Sequence, residues 1–325
     1  MDVVLHEDEW YGLPAWTLES AQLRVTTVPE MGAKLVSIFD RQVQHEWLLS
    51  PGNRPFEPVP YGAVFVDQDM SGWDEMFPTI NACPYPVAGP YAGNLLPDHG
   101  EVWPLAWEVV QAEAGVLKLS VSGRALPYRL SRAMSLVDAR TLRLDYEVTN
   151  TGDEPLVSLW TAHPQFSVGP DTEIHLPSEI RQVVNVLETE EWGDVGSRHA
   201  WPEATTQQRQ PFRLDRIGPA TEHRCRKFYL LPEQPVSWAE LRETQTGAWL
   251  RLGWNPDEVP YLGIWVDEGT YNPEPTVALE PSTGFYDSLE LAWQNRRAPT
   301  LPAGGRLAWH LTVQIGAGLA RNASQ

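Results

Sequence analysis

Long apolar runs are missing from this sequence: nowhere do eighteen apolar residues stand together, so no membrane-spanning helix is expected. Cysteine is nearly absent as well. Cys83 and Cys225 are too few for a disulfide scaffold and lack the spacing of a zinc site, so both read as reduced thiols in a cytoplasmic protein. Positive charge is scarce, with 24 Lys and Arg against 43 Asp and Glu. The formal net charge of -19 repels phosphate backbones and anionic lipid heads, which argues against nucleic acid or a membrane surface as a partner. The opening stretch MDVVLHEDEWYGLP has acids where a signal peptide has basic residues, and it has no apolar h-region. No P-loop, G-x-G-x-x-G, H-E-x-x-H or G-x-S-x-G is found, and six further histidines (His6, His45, His175, His199, His223 and His310) show no ligand spacing. Helix signals are few, because 29 prolines and 24 glycines interrupt nearly every window long enough for a 3.6-residue repeat.

What is present is alternation. In TLRLDYEVTNTGDEP, Leu142, Leu144, Tyr146 and Val148 alternate with Arg143, Asp145 and Glu147 before Asn150 and Gly152 supply turn chemistry. Leu117, Leu119 and Val121 repeat the pattern, as do Leu307, Trp309, Leu311, Val313 and Ile315. Shorter strands are expected around residues 21–28, 33–39, 248–254 and 261–266. With 42% hydrophobic residues to bury, such strands imply an all-β protein, a large antiparallel β-sandwich. No linker divides the chain, so residues 1–325 are expected to form a single domain. Residues 50–60, 66–103 and 186–222 read as long loops able to carry function.

Three stretches set a titratable group beside glycine, proline or aromatic residues: LPDHGEVW with His99, TAHPQF with His163, and VALEPSTGFYDSL with Glu280. Proline after His163 restricts the backbone there, so the imidazole can be aimed into a cleft. Fifteen tryptophans are many for this length; most should be core, and Trp73 in SGWDEMFPT is the one expected to touch a ligand, with Asp74 accepting hydrogen bonds beside it.

The order and flanks of these motifs resemble the aldose 1-epimerase (galactose mutarotase-like) family, in which an HG histidine, an HPYF-like histidine and a late EP glutamate meet in one cleft. PEMGAKLVSIFD and TLPAGGRLAWHLTVQIG extend the resemblance to nearly the whole chain. It implies the galactose mutarotase-like supersandwich and interconversion of the α and β anomers of a monosaccharide by ring opening. Glu280 would be the general base, His163 the general acid at the ring oxygen, and His99 a second donor that orients the sugar. No metal or organic cofactor is implied. The sequence departs from the galactose mutarotase pattern in two places. An arginine-and-asparagine segment before the first histidine is not recognisable, and at RCRKFYLL an expected aspartate gives way to Lys227, a candidate substrate-binding cation that could favour an anionic sugar. A non-catalytic carbohydrate-binding protein on the same fold, a glycoside hydrolase or lyase using Glu280 and Asp74, and a hexose-phosphate 1-epimerase are the competing readings. The basic residues of PYRLSR and HRCRKF keep the last in play.

Overall fold

Every alternating segment read from the sequence forms a strand. The computed structural model describes residues 2–318 and consists of antiparallel strands gathered into a 13-stranded and an 8-stranded sheet, with three two-stranded ribbons and one short α-helix, Leu289–Gln294. In the smaller sheet the strand Arg306–Ala317 lies centrally, pairing with Thr141–Asn150 on one side and Ala248–Trp254 on the other. Along Thr141–Asn150 the even-numbered residues are buried and most odd-numbered ones are half-buried, as a period of two on a one-sided sheet requires. The inward rows of both sheets form one apolar core running from Leu18 to Ile315.

Six strands of the larger sheet lie side by side in the order Lys34–Asp40, Trp73–Met76, Thr161–Pro164, Thr276–Ser282, Tyr261–Glu268 and Arg224–Leu230. Their middle strands are buried on both faces: all seven residues of Thr276–Ser282 and all four of Trp73–Met76 are inaccessible. One face packs on the core, while the other is covered by the loops that precede and follow these strands.

The stretch 66–103 is therefore not a plain loop. It contains Trp73–Met76, a strand in the larger sheet, and the small hairpin Cys83–Pro84 with Leu95–Leu96. The four residues of Trp73–Met76, two apolar flanking two acidic and all buried on both faces, carry no alternation to detect. Residues 186–222 likewise hold three short strands, Arg198–Ala200, Glu203–Thr205 and Pro211–Arg213. No helix among the described residues is long and apolar enough to cross a membrane.

Candidate active site

Strand pairing brings the candidate residues into one row. His163 pairs with Asp74, and the register that sets Thr161 opposite Ser282 also puts His163 beside Glu280, which in turn faces Gly263, with Tyr229 beyond it. Lys227 stands two residues along from Tyr229, hence on the same face, opposite Trp265. His163 and Glu280 each precede a proline, Pro164 and Pro281, which holds the local chain extended.

The Glu280 carboxylate is fully buried, with Lys227 Nζ 2.7 Å from Oε2 and His163 Nε2 3.7 Å from Oε1. Lys227 Nζ also lies 3.0 Å from Asp287 Oδ2, and Tyr229 donates its hydroxyl to Asp287 Oδ1 at 2.7 Å. Gly263 makes this cluster sterically feasible: a Cβ there would stand 3.2 Å from Glu280 Oε2 and 3.1 Å from the Tyr229 ring. Burial raises the Glu280 carboxyl to about 7 even though the Lys227 ammonium opposes the shift. The two nearby carboxylates more than offset the desolvation of Lys227, whose pKa is raised. His163 moves the other way. Desolvation, then the charges of His99 and Lys227, hold its pKa well below 6.5, so the imidazole is neutral near pH 7.

Loops bring the remaining walls. Asp287 offers its backbone carbonyl to the N–H groups of Ile80 and Asn81, and Asp98 accepts from the Phe65 N–H at 2.8 Å, so the segments around residues 65, 80, 98 and 287 are laced together. His99, in the left-handed region with φ 58°, stacks on Phe65 with ring centroids 4.2 Å apart and meets His163 edge-on at 5.4 Å. Its Nδ1 lies 3.0 Å from Asp98 Oδ1. The cavity, open to solvent on one side, measures about 190 Å³. Its walls include His99, His163, Lys227, Asp287, Asn81 and the indole of Trp265. Cys225 borders the same space, accepts from Trp265 Nε1 at 3.1 Å, and has its thiol pushed up to about 12 by burial, which makes it an indole prop rather than a nucleophile. Among the described residues no group of three or more His, Cys, Asp or Glu is placed to hold a metal ion. A wider depression of about 400 Å³ lies on the outer face of the smaller sheet, where Arg143 pairs with Asp145 and His310 lies 3.5 Å from Glu258.

His163, His99 and Lys227 thus line the cavity with Glu280 buried directly behind Lys227 and His163, whereas Trp73 and Asp74 neither line it nor touch Lys227. Successive residues of a strand point to opposite faces, so these two could never both reach one ligand. Trp73 is fully buried in the main core near Phe166. Asp74 is on the His163 side but is sealed under Lys34, whose Nζ lies 3.1 Å from Asp74 and 2.8 Å from Asp69. Its carboxyl is raised to about 7 by burial against the pull of Lys34. Sequence reasoning missed Trp265, Asp287, Tyr229 and Gly263. The first could have been found from the strand YLGIWVDE, in which Gly263 and Trp265 share the face of Lys227.

The aldose 1-epimerase family model matches residues 14–217, more than half of the chain. The chain belongs to the aldose 1-epimerase family. Solved structures agree on the fold. The Slr1438 protein from Synechocystis sp. PCC 6803 superposes with a TM-score of 0.70 at 15% identity, covering 98% of this chain and 100% of its own. A galactose mutarotase-like protein from Lactobacillus casei gives 0.68 at 19% identity, covering 92% and 99%. Another from Clostridium acetobutylicum gives 0.69 at 12% identity, covering 98% and 99%. No curated protein matches the sequence. The fold is accordingly the galactose mutarotase-like sandwich, and the cavity lies between the sheet row of His163 and Lys227 and the loop that carries His99.

Proposed function

We propose that this aldose 1-epimerase family member interconverts the anomers of a neutral monosaccharide in the cavity above Glu280 and His163. The observation that carries the reading is a neutral imidazole, His163, at the wall of a sugar-sized space with the buried Glu280 carboxylate 3.7 Å behind it. Glu280 takes the proton from O1 as the C1–O5 bond breaks and C1=O1 forms. The electron pair goes to O5, to which His163 Nε2–H donates as charge develops. The proton taken by Glu280 passes to His163 Nε2 as that nitrogen gives its own proton to O5, so that both groups end as they began and the relay can run backward. Rotation about C1–C2 and the reverse sequence close the other anomer. Lys227 keeps Glu280 able to ionise despite its burial, His99 donates to a sugar hydroxyl, and Trp265 offers an apolar surface to the C–H face of the ring.

Charge accounting supports a neutral substrate. Lys227 is held between Glu280 and Asp287, and no arginine among the described residues lines the cavity. The arginines that kept a sugar phosphate in play are engaged elsewhere: Arg132 with Glu75, Arg226 with Glu268, Arg129 with Glu108 and Arg224 with Glu222. A phosphate or carboxylate would meet Glu280 and Asp287 with no free cation to receive it. Two-dimensional NMR exchange between anomers, run with neutral aldoses and their 6-phosphates, tests this. Acceleration of at least one neutral aldose is expected. Acceleration of phosphorylated sugars alone, or of none, overturns it.

A further inference from the structure

Gln165 is fully buried two residues beyond His163, hence on the same face of the sheet, and its side chain turns back along the row. Its amide nitrogen lies 3.0 Å from His163 Nδ1. Main-chain bonds fix its place: its N–H donates to the Gly72 carbonyl at 2.7 Å and its own carbonyl accepts from the Leu49 N–H at 2.7 Å. Resting on the reading of His163 as the donor at the ring oxygen, we propose that Gln165 is a positioning residue that holds the imidazole as the Nε2–H tautomer, with the proton directed toward Glu280 and the cavity.

An amide NH₂ can only donate, so Nδ1 must accept and the ring proton must sit on Nε2. The opposite amide orientation would place a proton on Nδ1 and turn the Nε2 lone pair toward Glu280 Oε1 at 3.7 Å, setting two acceptors against each other. The surroundings of the ring favour the same neutral form. Lys227 and Glu280 face it from two strands, Asp74 and Lys34 from the strands on its other side, and His99 from the covering loop. Both lysines are held between two carboxylates. Burial and the charges of His99, Lys227 and Lys34 all oppose a second proton on the ring. An imidazolium would need an acceptor at Nδ1, which the amide nitrogen denies it.

The ring nitrogens of ¹⁵N-histidine-labelled protein report the tautomer directly, whether or not a sugar is turned over. Wild-type protein at pH 8 is expected to show His163 as Nε2–H, with Gln165→Met giving a mixture of tautomers and a kcat about tenfold lower, since a wrong tautomer in a serine hydrolase triad costs up to about 10⁴. In Gln165→Glu the added carboxylate accepts from Nδ1–H, so the His163 titration is expected to move up by at least one pH unit, with the pH–rate profile following it. A role confined to packing would leave that titration in place. Nδ1–H in the wild type, or an unchanged tautomer in folded Gln165→Met, overturns the proposal. Nε2–H in a protein that accelerates no aldose would instead leave this assignment standing and remove the proposed function.

Discussion

Two glutamates of one sheet, on strands separated only by Thr161–Pro164, are both fully buried in contrasting surroundings. Glu75 points into the core, where it accepts from Arg132 and Tyr146 through Oε1 and from Trp160 Nε1 through Oε2, each at 2.8 Å. Arg132 and Tyr146 belong to the smaller sheet and Glu75 to the larger, so the carboxylate ties the sandwich together with its charge paired and both oxygens hydrogen-bonded. Glu280 points to the opposite face. Lys227 approaches one oxygen, Oε1 has no hydrogen-bond donor within reach among the described residues, and burial raises the group to about 7. A carboxylate satisfied by the protein on this scale reads as structural; one left with an unfilled lone pair just behind a cavity-lining imidazole fits the proposed role as base.

That contrast is sharpest when both are neutralised. Glu280→Gln keeps the shape and removes the proton acceptor, so anomer exchange is expected to fall by about 10² to 10⁴ while thermal unfolding stays near wild type. Glu75→Gln leaves the Arg132 guanidinium buried without its counter-charge, which is expected to cost about 3–5 kcal/mol in chemical denaturation. If Glu280→Gln unfolds the protein, or Glu75→Gln is tolerated with unchanged stability, the distinction between the two sites fails.

Gly263 gives a finer test, because it sets how close the Glu280 carboxylate and the Tyr229 ring can approach their strand neighbour. Gly263→Ala puts a Cβ 3.2 Å from Oε2 and is expected to lower kcat by about 10- to 100-fold through displacement of the carboxylate. Full activity in this variant would show that the Glu280 position is not critical to within a few tenths of an ångström.

The pH profile separates the two carboxylates further. Glu280 accepts a proton only when ionised, so kcat is expected to fall by about tenfold per pH unit as pH drops below about 7. Its effect on stability has the opposite sign. A carboxyl raised from 4.5 to about 7 by folding contributes stability at low pH that is lost as pH climbs through 7. A rate independent of pH between 5 and 8 would remove Glu280 as the base.

The smallest expected effects concern the tryptophans. Trp265→Leu removes an indole from the cavity wall and is expected to raise KM several-fold with little change in unfolding, whereas Trp73→Leu is expected to destabilise by about 2–4 kcal/mol and leave KM alone. Reversal of the two outcomes would return Trp73 to the ligand and send Trp265 to the core.

Much of this was legible in the residues themselves. One-sided strands such as Thr141–Asn150 announce themselves by alternation, and His99, His163 and Glu280 by glycine and proline neighbours that constrain the backbone. The strand Trp73–Met76 was not legible, because a segment buried on both faces has no polar side to alternate with. Reading it as a loop left Trp73 and Asp74 free to share a ligand, which pairing forbids.

The sequence by itself determined the β class, the family resemblance and the chemical types at the centre of the site, since these depend on local periodicity and on short motifs. Only the tertiary structure decided that Lys227 is held between Glu280 and Asp287, that Gln165 reaches His163 Nδ1, and that Trp265 rather than Trp73 stands at the cavity. Each of these depends on strand register or on loops brought together across the sheet, and therefore on contacts between residues far apart in the chain, whose pairing no local pattern encodes.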